Sequence, residues 1–381
     1  MSYKEIIIGI DVTNITSGGG LTHISELLNH SNPTINNFDK IIIWGSKSTL
    51  AQIINKDWII KISLEVFEKN FLLRAFWQFK KLGKAAKENK CSILLIPGGS
   101  YFSKFEPFIT ISQNMLPFNW KEIFRYKFTF FILKLFFLRY VQLYTFKKSK
   151  GIIFLTDYVQ NKLLKLIKKN KSSIVIPHGI DDRFYSKPRE QKSITSFNFN
   201  NPFKLVYVSS FEPYKHQKNV VKTVCKIIDE GYPISLDLIG GTNPKIYRDI
   251  KKILSKNSLY EEKIIIHESI DHLQMHKIYL NYDAKIYAST CENLPIILLE
   301  SMASGLPILC SSFEPMPSIL KDGGFYFNPL NKNSIYESIL TMINNEKLRT
   351  RHAYRSYEIS RNYSWFKCAE DTFNYLNKNV L

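Results

Sequence analysis

The sequence lacks several patterns that would each have indicated a particular class of protein. Its five cysteines are scattered, and no two of them form a C-x-x-C pair. A disulfide framework and a zinc site are therefore not expected. No G-x-G-x-x-G fingerprint follows the first strand candidate, and the second, at residues 41–44, ends without the acidic residue that dinucleotide binding requires. This argues against a nicotinamide dehydrogenase.

Long apolar runs are also absent. The most aromatic stretch, residues 123–146, is interrupted by Lys127, Lys134 and Arg139, so no run reaches the roughly 18 residues of a membrane-spanning helix. We predict a long, deeply packed helix here. The alternative is peripheral contact with an anionic membrane through this stretch and the lysines at 147, 148 and 150.

Acidic residues are few, 33 against 52 lysines and arginines, which gives a net charge of +19. Residues 1–190 carry +15 of this charge and the remainder +4. A basic half could face nucleic acid, an anionic membrane or an acidic acceptor, or could be solvated surface. No nucleic-acid-binding motif or arginine-rich reading helix is found. We therefore expect no nucleic-acid partner, although a basic nucleic-acid-binding protein remains the alternative from another class.

The N-terminal residues MSYKEIIIGID contain too short an apolar run for a signal peptide. Together with the unpaired cysteines, this leads us to expect a cytoplasmic location, with the inner face of the membrane as the site of any peripheral contact.

The chain of 381 residues exceeds the usual size of one domain, so we expect two. Apolar, β-branched runs alternate with helical patterns in both halves, which is typical of parallel sheets covered on both faces. The polar segment 186–201 is typical of a linker. The predicted fold class is therefore α/β, with two Rossmann-like domains.

The most informative stretch is residues 287–312, YASTCENLPIILLESMASGLPILCSS. A strand ends in a polar loop, and a helix then begins with Pro295 at its first position, where proline loses no hydrogen bond. The amides at 296–298 would point out of this helix start, which favours an anion such as phosphate. Glu292 and Glu300 lie to either side and suit the hydroxyl groups of a sugar-nucleotide, since carboxylates only accept hydrogen bonds.

The spacing of these two glutamates, followed by SMASGLPILCS, resembles the donor site of the family 4 (group 1) retaining glycosyltransferases, which have the GT-B fold. The resemblance covers essentially the whole chain and is strongest over residues 206–330. It implies parallel sheets that face a central cleft. It also implies an acceptor-side domain at 1–187, a donor-binding domain at 188–364, and a C-terminal helix at about 365–381 that packs back on the first domain.

The resemblance also assigns roles to individual residues. Lys215 matches the lysine that neutralises the donor diphosphate, whereas Ser210 stands where the family has an arginine, so half of the usual positive charge is missing. Arg183, His216 or helix dipoles are the candidates for compensation. The remaining residues implied at the donor site are Glu292, Asn293, Leu294, Pro295, Ile296, Glu300, Gly240 and His267.

On the acceptor side, the resemblance implies that the loop with Gly18, Gly19 and Gly20 borders the cleft, ahead of a helix that we predict from Leu21 to His30. Gln113 and Asn114 replace a histidine that many relatives carry near the reacting sugar, and they would either bind sugar hydroxyls or form a turn. His23 is expected to cap a helix or to lie on the surface, with ligand binding as the alternative.

The resemblance thus implies a retaining hexosyl- or N-acetylhexosaminyltransferase. A nucleoside-diphosphate-sugar such as a UDP- or GDP-sugar would be the donor, and a glycan or lipid-linked molecule the acceptor, in envelope polysaccharide biosynthesis. We expect no metal and no cofactor besides the donor, because no acidic pair has metal-ligand spacing. A sugar-nucleotide 2-epimerase of the same fold is the nearest alternative.

Overall fold

The computed structural model describes residues 5–16, 18–127, 129–168, 171–241 and 243–380. Thirteen strands form two sheets in this part of the chain, and every strand pair is parallel. The strands are β1 (Ile7–Asp11), β2 (Lys40–Trp44), β3 (Ile59–Ile62), β4 (Ile93–Ile96), β5 (Phe108–Ile111), β6 (Gly151–Phe154), β7 (Ser172–Val175), β8 (Phe203–Val208), β9 (Ile234–Ile239), β10 (Ile264–His267), β11 (Ala284–Tyr287), β12 (Ile308–Ser311) and β13 (Phe325–Phe327).

Helices connect the strands. They are α1 (Gly19–Asn29), α2 (Pro33–Asn36), α3 (Lys47–Leu50), α4 (Phe71–Trp77), α5 (Gly83–Glu88), α6 (Trp120–Ile123), α7 (Phe130–Lys148), α8 (Asp157–Ile167), α9 (Gln217–Asp229), α10 (Pro244–Leu254), α11 (Ser258–Lys263), α12 (Met275–Tyr279), α13 (Ile296–Ala303), α14 (Met316–Leu320), α15 (Lys332–Ile343), α16 (Glu346–Ser360) and α17 (Trp365–Asn377). A π-helical segment, Gln78–Leu82, joins α4 to α5.

The described residues divide into two compact units. The first takes those of Met1–Phe118, Phe128–Gly179 and Ser364–Leu381, and the second takes those of Asn119–Lys127 and Ile180–Tyr363. The first contains the seven-stranded sheet β3-β2-β1-β4-β5-β6-β7, and the second contains the six-stranded sheet β10-β9-β8-β11-β12-β13. Two Rossmann-like α/β domains with parallel sheets were predicted, and this prediction is confirmed.

Both sheets are built from short apolar strands that are buried on two faces. All five residues of β1 and all four of β4, β5, β6, β11 and β12 are buried. Continuous apolar runs of this kind are typical of parallel strands with helices on both sides. In the second unit the strand order reverses direction between β8 and β11, and open α/β sheets bind ligands at the carboxyl ends of strands at such a reversal.

The predicted deeply packed helix over residues 123–146 is wrong in two respects. The segment is broken into α6, a 3-10 turn at Phe124–Tyr126 and α7, with Lys127 in a left-handed conformation at the break. The residues before the break belong to the second unit, where the Tyr126 hydroxyl donates to Glu212 Oε2 at 2.8 Å. The part after the break, α7, has an exposed side that is described below.

Two smaller corrections concern helix starts. Pro295 is the N-cap of α13, with extended backbone, and not its first helical residue. Helix α1 begins at Gly19, two residues earlier than the predicted Leu21, because Gly18 takes a positive φ of 72° and starts the turn.

Helix α17 packs in the first unit, where the Asn377 side chain donates to the carbonyl of Asn36 at 2.6 Å.

Candidate functional site

A buried ion pair lies where the strand order of the second sheet reverses. Lys215 follows β8 and Glu292 follows β11, and the Lys215 ammonium donates to Glu292 Oε1. The same Nζ donates to the Tyr287 hydroxyl at 3.1 Å. The two residues are 77 positions apart in the sequence, and both are largely buried. Two residues that were predicted separately as donor-site residues are therefore direct neighbours.

The two loops that carry this ion pair are joined by their backbones. The Thr290 amide donates to the carbonyl of Tyr214 at 2.9 Å. His216 adopts a left-handed conformation before α9, and its Nε2 lies 3.0 Å from Thr290 Oγ1. Burial lowers the pKa of His216 to about 4, so this histidine is neutral at pH 7 and does not replace the positive charge missing at Ser210.

Three tyrosines surround the ion pair, and sequence reasoning did not single them out. The Lys215 ammonium lies 5.4 Å from the centre of the Tyr214 ring and 5.1 Å from that of Tyr287, and the Tyr207 hydroxyl donates to the Lys215 carbonyl. Burial, together with the nearby Glu292 carboxylate, raises the pKa of all three phenols. They therefore remain uncharged hydroxyl donors. Tyr207 and Tyr287 lie at the carboxyl ends of adjacent strands. This position was the sequence signal that could have identified them as residues of the site.

The start of helix α13 presents backbone amides four residues after Glu292. The Leu298 amide donates to the Pro295 carbonyl at 3.0 Å, so it is not available as predicted. Among the described residues, the amides of Ile296 and Ile297 donate to no acceptor. Together with the helix dipole, these two amides can receive an anion.

Glu300 lies further along α13 and is buried. Its Oε1 accepts a hydrogen bond of 2.6 Å from His272 Nε2, while His272 Nδ1 lies 3.0 Å from a guanidinium nitrogen of Arg183. The hydrogen bond to Glu300 raises the pKa of His272. A neutral ring with its proton on Nε2 satisfies both contacts. Arg183, which was considered as a replacement for the missing arginine, is thus linked through His272 to Glu300.

A second buried lysine, Lys285 on β11, lies beneath α13 and was missed by sequence reasoning. Its side chain is fully buried, and Nζ donates to the Tyr279 hydroxyl at 2.8 Å and to the Ile297 carbonyl at 2.9 Å. Burial lowers its pKa to about 7, against the opposing effect of Glu300. In the sequence Lys285 is a single lysine within an apolar strand, and no local pattern indicated that it would contact the start of α13.

The other predicted donor-side residues are distributed around the ends of the strands. Ser210 is exposed, and its carbonyl accepts from Gln217 Nε2 at 2.8 Å. Gly240 packs directly against the end of β8, because a Cβ there would lie 2.1 Å from the carbonyl oxygen of Ser209, which follows that strand. His267 lies at the end of β10, with Nε2 2.9 Å from Asp237 Oδ2. Asn293 and Leu294 are buried between Glu292 and the start of α13.

The predicted acceptor-side residues belong to the first unit. Gly18 precedes α1, Gly19 and Gly20 form its first turn, and a Cβ on Gly20 would lie 2.8 Å from Gln113 Oε1. Gln113 Nε2 lies 2.9 Å from His23 Nδ1. The Asn114 side chain accepts from the Leu116 amide at 3.0 Å, which forms a turn.

The predicted surface or capping position of His23 is wrong. Its ring is buried against His178 and Trp365, with centroid separations of 4.4 and 5.9 Å. Burial lowers the pKa of His23 to about 4, so this ring is neutral at pH 7.

In the part of the chain that the structure describes, no group of three or more histidine, cysteine or acidic side chains is arranged to hold a metal ion. The same residues include no helix that is both long enough and apolar enough to cross a bilayer.

The fold and part of the sequence match known proteins. Residues 189–359 match the family model described as "Glycosyl transferases group 1". Over 232 residues the chain is 26% identical to an uncharacterized glycosyltransferase of Methanocaldococcus jannaschii, a match that covers 60% of this chain and 60% of that protein. The matched segment is therefore less than two thirds of this relative.

Solved structures match over nearly the full length. WaaG, described as a glycosyltransferase involved in lipopolysaccharide biosynthesis, aligns with a TM-score of 0.71, 13% identity and coverage of 97% of this chain and 99% of that one. Anabaena HepE in complex with UDP-glucose aligns with a TM-score of 0.72, 12% identity and coverage of 98% and 100%. The protein thus has the GT-B fold. The match to the group 1 glycosyltransferase model lies at residues 189–359, which are less than half of the chain.

Proposed function

We propose that this protein transfers a sugar from a nucleoside-diphosphate-sugar to a glycan or lipid-linked acceptor. One observation carries the proposal. Lys215 and Glu292 form one buried ion pair at the strand-order reversal of the second sheet, beside a helix start with two available amides. A cation and amide donors at this point suit a diphosphate, and neighbouring carboxylates suit the hydroxyls on either side of it.

In the proposed mechanism, Lys215 and the amides of Ile296 and Ile297 stabilise the negative charge that develops on the departing diphosphate. Preorganised donors of this kind supply a large part of the rate enhancement when they face developing charge. Glu292 already bonds Lys215, so binding of a phosphate would make the ammonium shared between the carboxylate and the phosphate. Retention of anomeric configuration would follow from attack on the front face of the sugar, where the leaving phosphate accepts the proton of the acceptor.

The two glutamates would have separate roles. Glu292 would accept hydrogen bonds from hydroxyls of the transferred sugar, and Glu300 would bind the ribose diol. Since His272 already donates to one oxygen of Glu300, it would fix the orientation of that carboxylate toward the diol. We further propose that Gly240 and His267 line the nucleoside side, and that Asn293 and Leu294 belong to the donor site.

The coarser assignments that follow from the resemblance are kept as proposals. The donor-binding domain would be residues 188–364, and residues 1–187 with the last helix would hold the acceptor. Gly18, Gly19, Gly20, Gln113 and Asn114 are the candidate residues on that side. The enzyme would act without metal, in the cytoplasm, in envelope polysaccharide assembly.

Thermal unfolding with a panel of UDP- and GDP-sugars tests donor binding. A ligand at 100 times its dissociation constant stabilises the folded protein by about 2.7 kcal/mol, so one nucleotide class should raise the unfolding temperature clearly. Incubating the bound donor with and without candidate acceptors then separates transfer from epimerisation. A product that is an epimer of the donor, formed without acceptor, would support a 2-epimerase instead.

Lys215→Ala tests the role of the ammonium. Loss of one preorganised donor to developing charge lowers turnover by about 10² to 10³, and we expect a kcat decrease in that range. Lys218→Ala is the matched control, because Lys218 is an exposed lysine three residues later that pairs with Asp249. Equal turnover in the two variants would contradict the proposed role.

Glu300→Gln tests donor binding. A hydrogen bond to a charged group is worth about 1.5–3 kcal/mol, so we expect donor affinity to fall by roughly tenfold or more while kcat changes less. Glu314→Gln, which changes an exposed glutamate of the same unit, is the control. A donor titration of Glu300→Gln identical to that of the wild type would refute the assignment to the ribose.

A further inference from the structure

Helix α7 in the first unit presents a continuous row of large apolar side chains to solvent. The row consists of residues spaced alternately three and four apart, with the exposed fraction of each given in turn: Phe130 87%, Leu133 61%, Phe137 58%, Tyr140 68% and Tyr144 42%. Residues at this spacing lie on one side of a helix. From Phe130 to Tyr144 the row extends over roughly 21 Å at 1.5 Å per residue, within a helix of 19 residues.

The opposite side of α7 is also apolar, and it is buried in the first unit. Ile132, Leu135 and Phe146 lie on that side. A helix that is apolar all round is normally buried all round, whereas the described residues of this chain cover only one side of α7. An exposed apolar surface of this extent indicates a binding surface.

The charges on α7 favour one kind of partner. The helix contains Lys134, Arg139, Lys147 and Lys148 and no acidic residue. A second copy of the same helix would bring like charges together, and a nonpolar partner alone would leave the lysines unused. A bilayer with anionic headgroups accommodates both features, because aromatic residues enter the boundary between headgroups and acyl chains while lysines contact the lipid phosphates.

A second exposed apolar row lies on α4 and the π-helical segment that follows it. Its members are Phe71, Leu72, Leu73, Phe76 and Phe79, and residues 71–88 contain five basic residues and one acidic residue. The π-helical segment and α7 contact consecutive residues of one loop. Gln78 Nε2 donates to the Ser100 carbonyl at 3.1 Å, and the Tyr101 amide donates to Thr145 Oγ1 at 2.9 Å.

We propose that the exposed side of α7 is a docking surface for the headgroup region of an anionic phospholipid bilayer. The aromatic row inserts at the interface, and Lys134, Lys147 and Lys148 pair with lipid phosphates. Docking of this kind needs neither a sugar-nucleotide nor the ion pair of the second unit, so it can be tested separately from glycosyl transfer.

Co-sedimentation of the full chain with vesicles measures the docking. We expect binding to vesicles of phosphatidylcholine with about one third phosphatidylglycerol, and at least tenfold weaker binding to pure phosphatidylcholine. A basic residue near an anionic surface contributes about 1 kcal/mol, which is about fivefold in affinity. Lys147→Gln with Lys148→Gln should therefore weaken binding about 30-fold. The control is Lys251→Gln with Lys252→Gln, a pair of exposed adjacent lysines near the end of α10.

Phe130→Ser with Phe137→Ser tests the apolar contribution. Burial of an aromatic side chain is worth about 1.5–3 kcal/mol, so we expect binding to fall by more than tenfold, with an unchanged unfolding temperature because both rings are exposed. Phe366→Ser, which changes an exposed ring on α17, should bind like the wild type. Failure of the wild type to sediment with the anionic vesicles at low salt would overturn the proposal. Sedimentation of the double variants equal to that of the wild type would also overturn it. A dimer in solution that Phe137→Ser dissociates would likewise overturn it and identify the row as a self-interface.

Discussion

Lys285 offers the most direct test of the structure beneath the helix start. Its ammonium is fully buried between the Tyr279 hydroxyl and the Ile297 carbonyl, and burial lowers its pKa to about 7. In the unfolded chain a lysine has its ordinary pKa of about 10.4. Between pH 7 and pH 10 the unfolded state thus binds more protons than the folded state, and the contribution of Lys285 to the free energy of unfolding increases with pH.

The magnitude follows from these two pKa values. From pH 6 to pH 8.5 the folded state loses most of the Lys285 proton while the unfolded state keeps it. Proton linkage converts this difference into about 2 kcal/mol of added stability. Replacing Lys285 with methionine, which keeps the apolar chain, removes the titrating group. The stability of the wild type relative to Lys285→Met should therefore increase by about 2 kcal/mol across this pH range.

Urea unfolding of both proteins at pH 6, 7 and 8.5 measures this difference. Comparing the two proteins at each pH removes the contributions of the other titrating groups, such as the buried cysteines and tyrosines that are common to both. Lys222→Met, at an exposed position on α9 in the same unit, serves as the matched control for removing a lysine. A difference between wild type and Lys285→Met that stays constant from pH 6 to pH 8.5 would refute the buried, weakly basic state of this ammonium.

Two further predictions concern the same unit. The pKa of His272 is raised by Glu300, so its stabilising contribution is fully present below about pH 6.5 and is lost as pH rises through the raised value. The stability advantage of wild type over His272→Asn should therefore shrink with increasing pH in urea titrations, and an advantage that grows instead would contradict the hydrogen bond. Gly240→Ala should destabilise by about 3 kcal/mol or more, because φ is 147° and the added Cβ would lie 2.1 Å from the Ser209 carbonyl oxygen. Gly241→Ala, whose Cβ would have no neighbour within 4 Å, should change the unfolding midpoint little.

The break in the predicted helix shows where the local sequence pattern was insufficient to predict the structure. Residues 123–146 have high apolar content throughout, so the left-handed turn at Lys127 left no clear mark in the sequence. The attachment of Tyr126 to Glu212 is a contact across 86 positions, which no local pattern encodes. Similarly, the apolar residues of α7 occur on both sides of the helix. The sequence therefore could not distinguish a helix buried on all sides from one whose second side is exposed.

The sequence by itself determined the two-domain α/β architecture, because short β-branched runs and amphipathic helices alternate, and this alternation depends only on neighbouring residues. It also determined the polar loop and helix start from Glu292 to Glu300, whose chemistry is local. Only the tertiary structure decided that Lys215 pairs with Glu292, that Glu300 accepts from His272, and that Lys285 supports the Ile297 carbonyl. Each of these contacts joins separate strand ends or packs one element beneath another, and the burial that sets the charge of these groups exists only once the second sheet has formed.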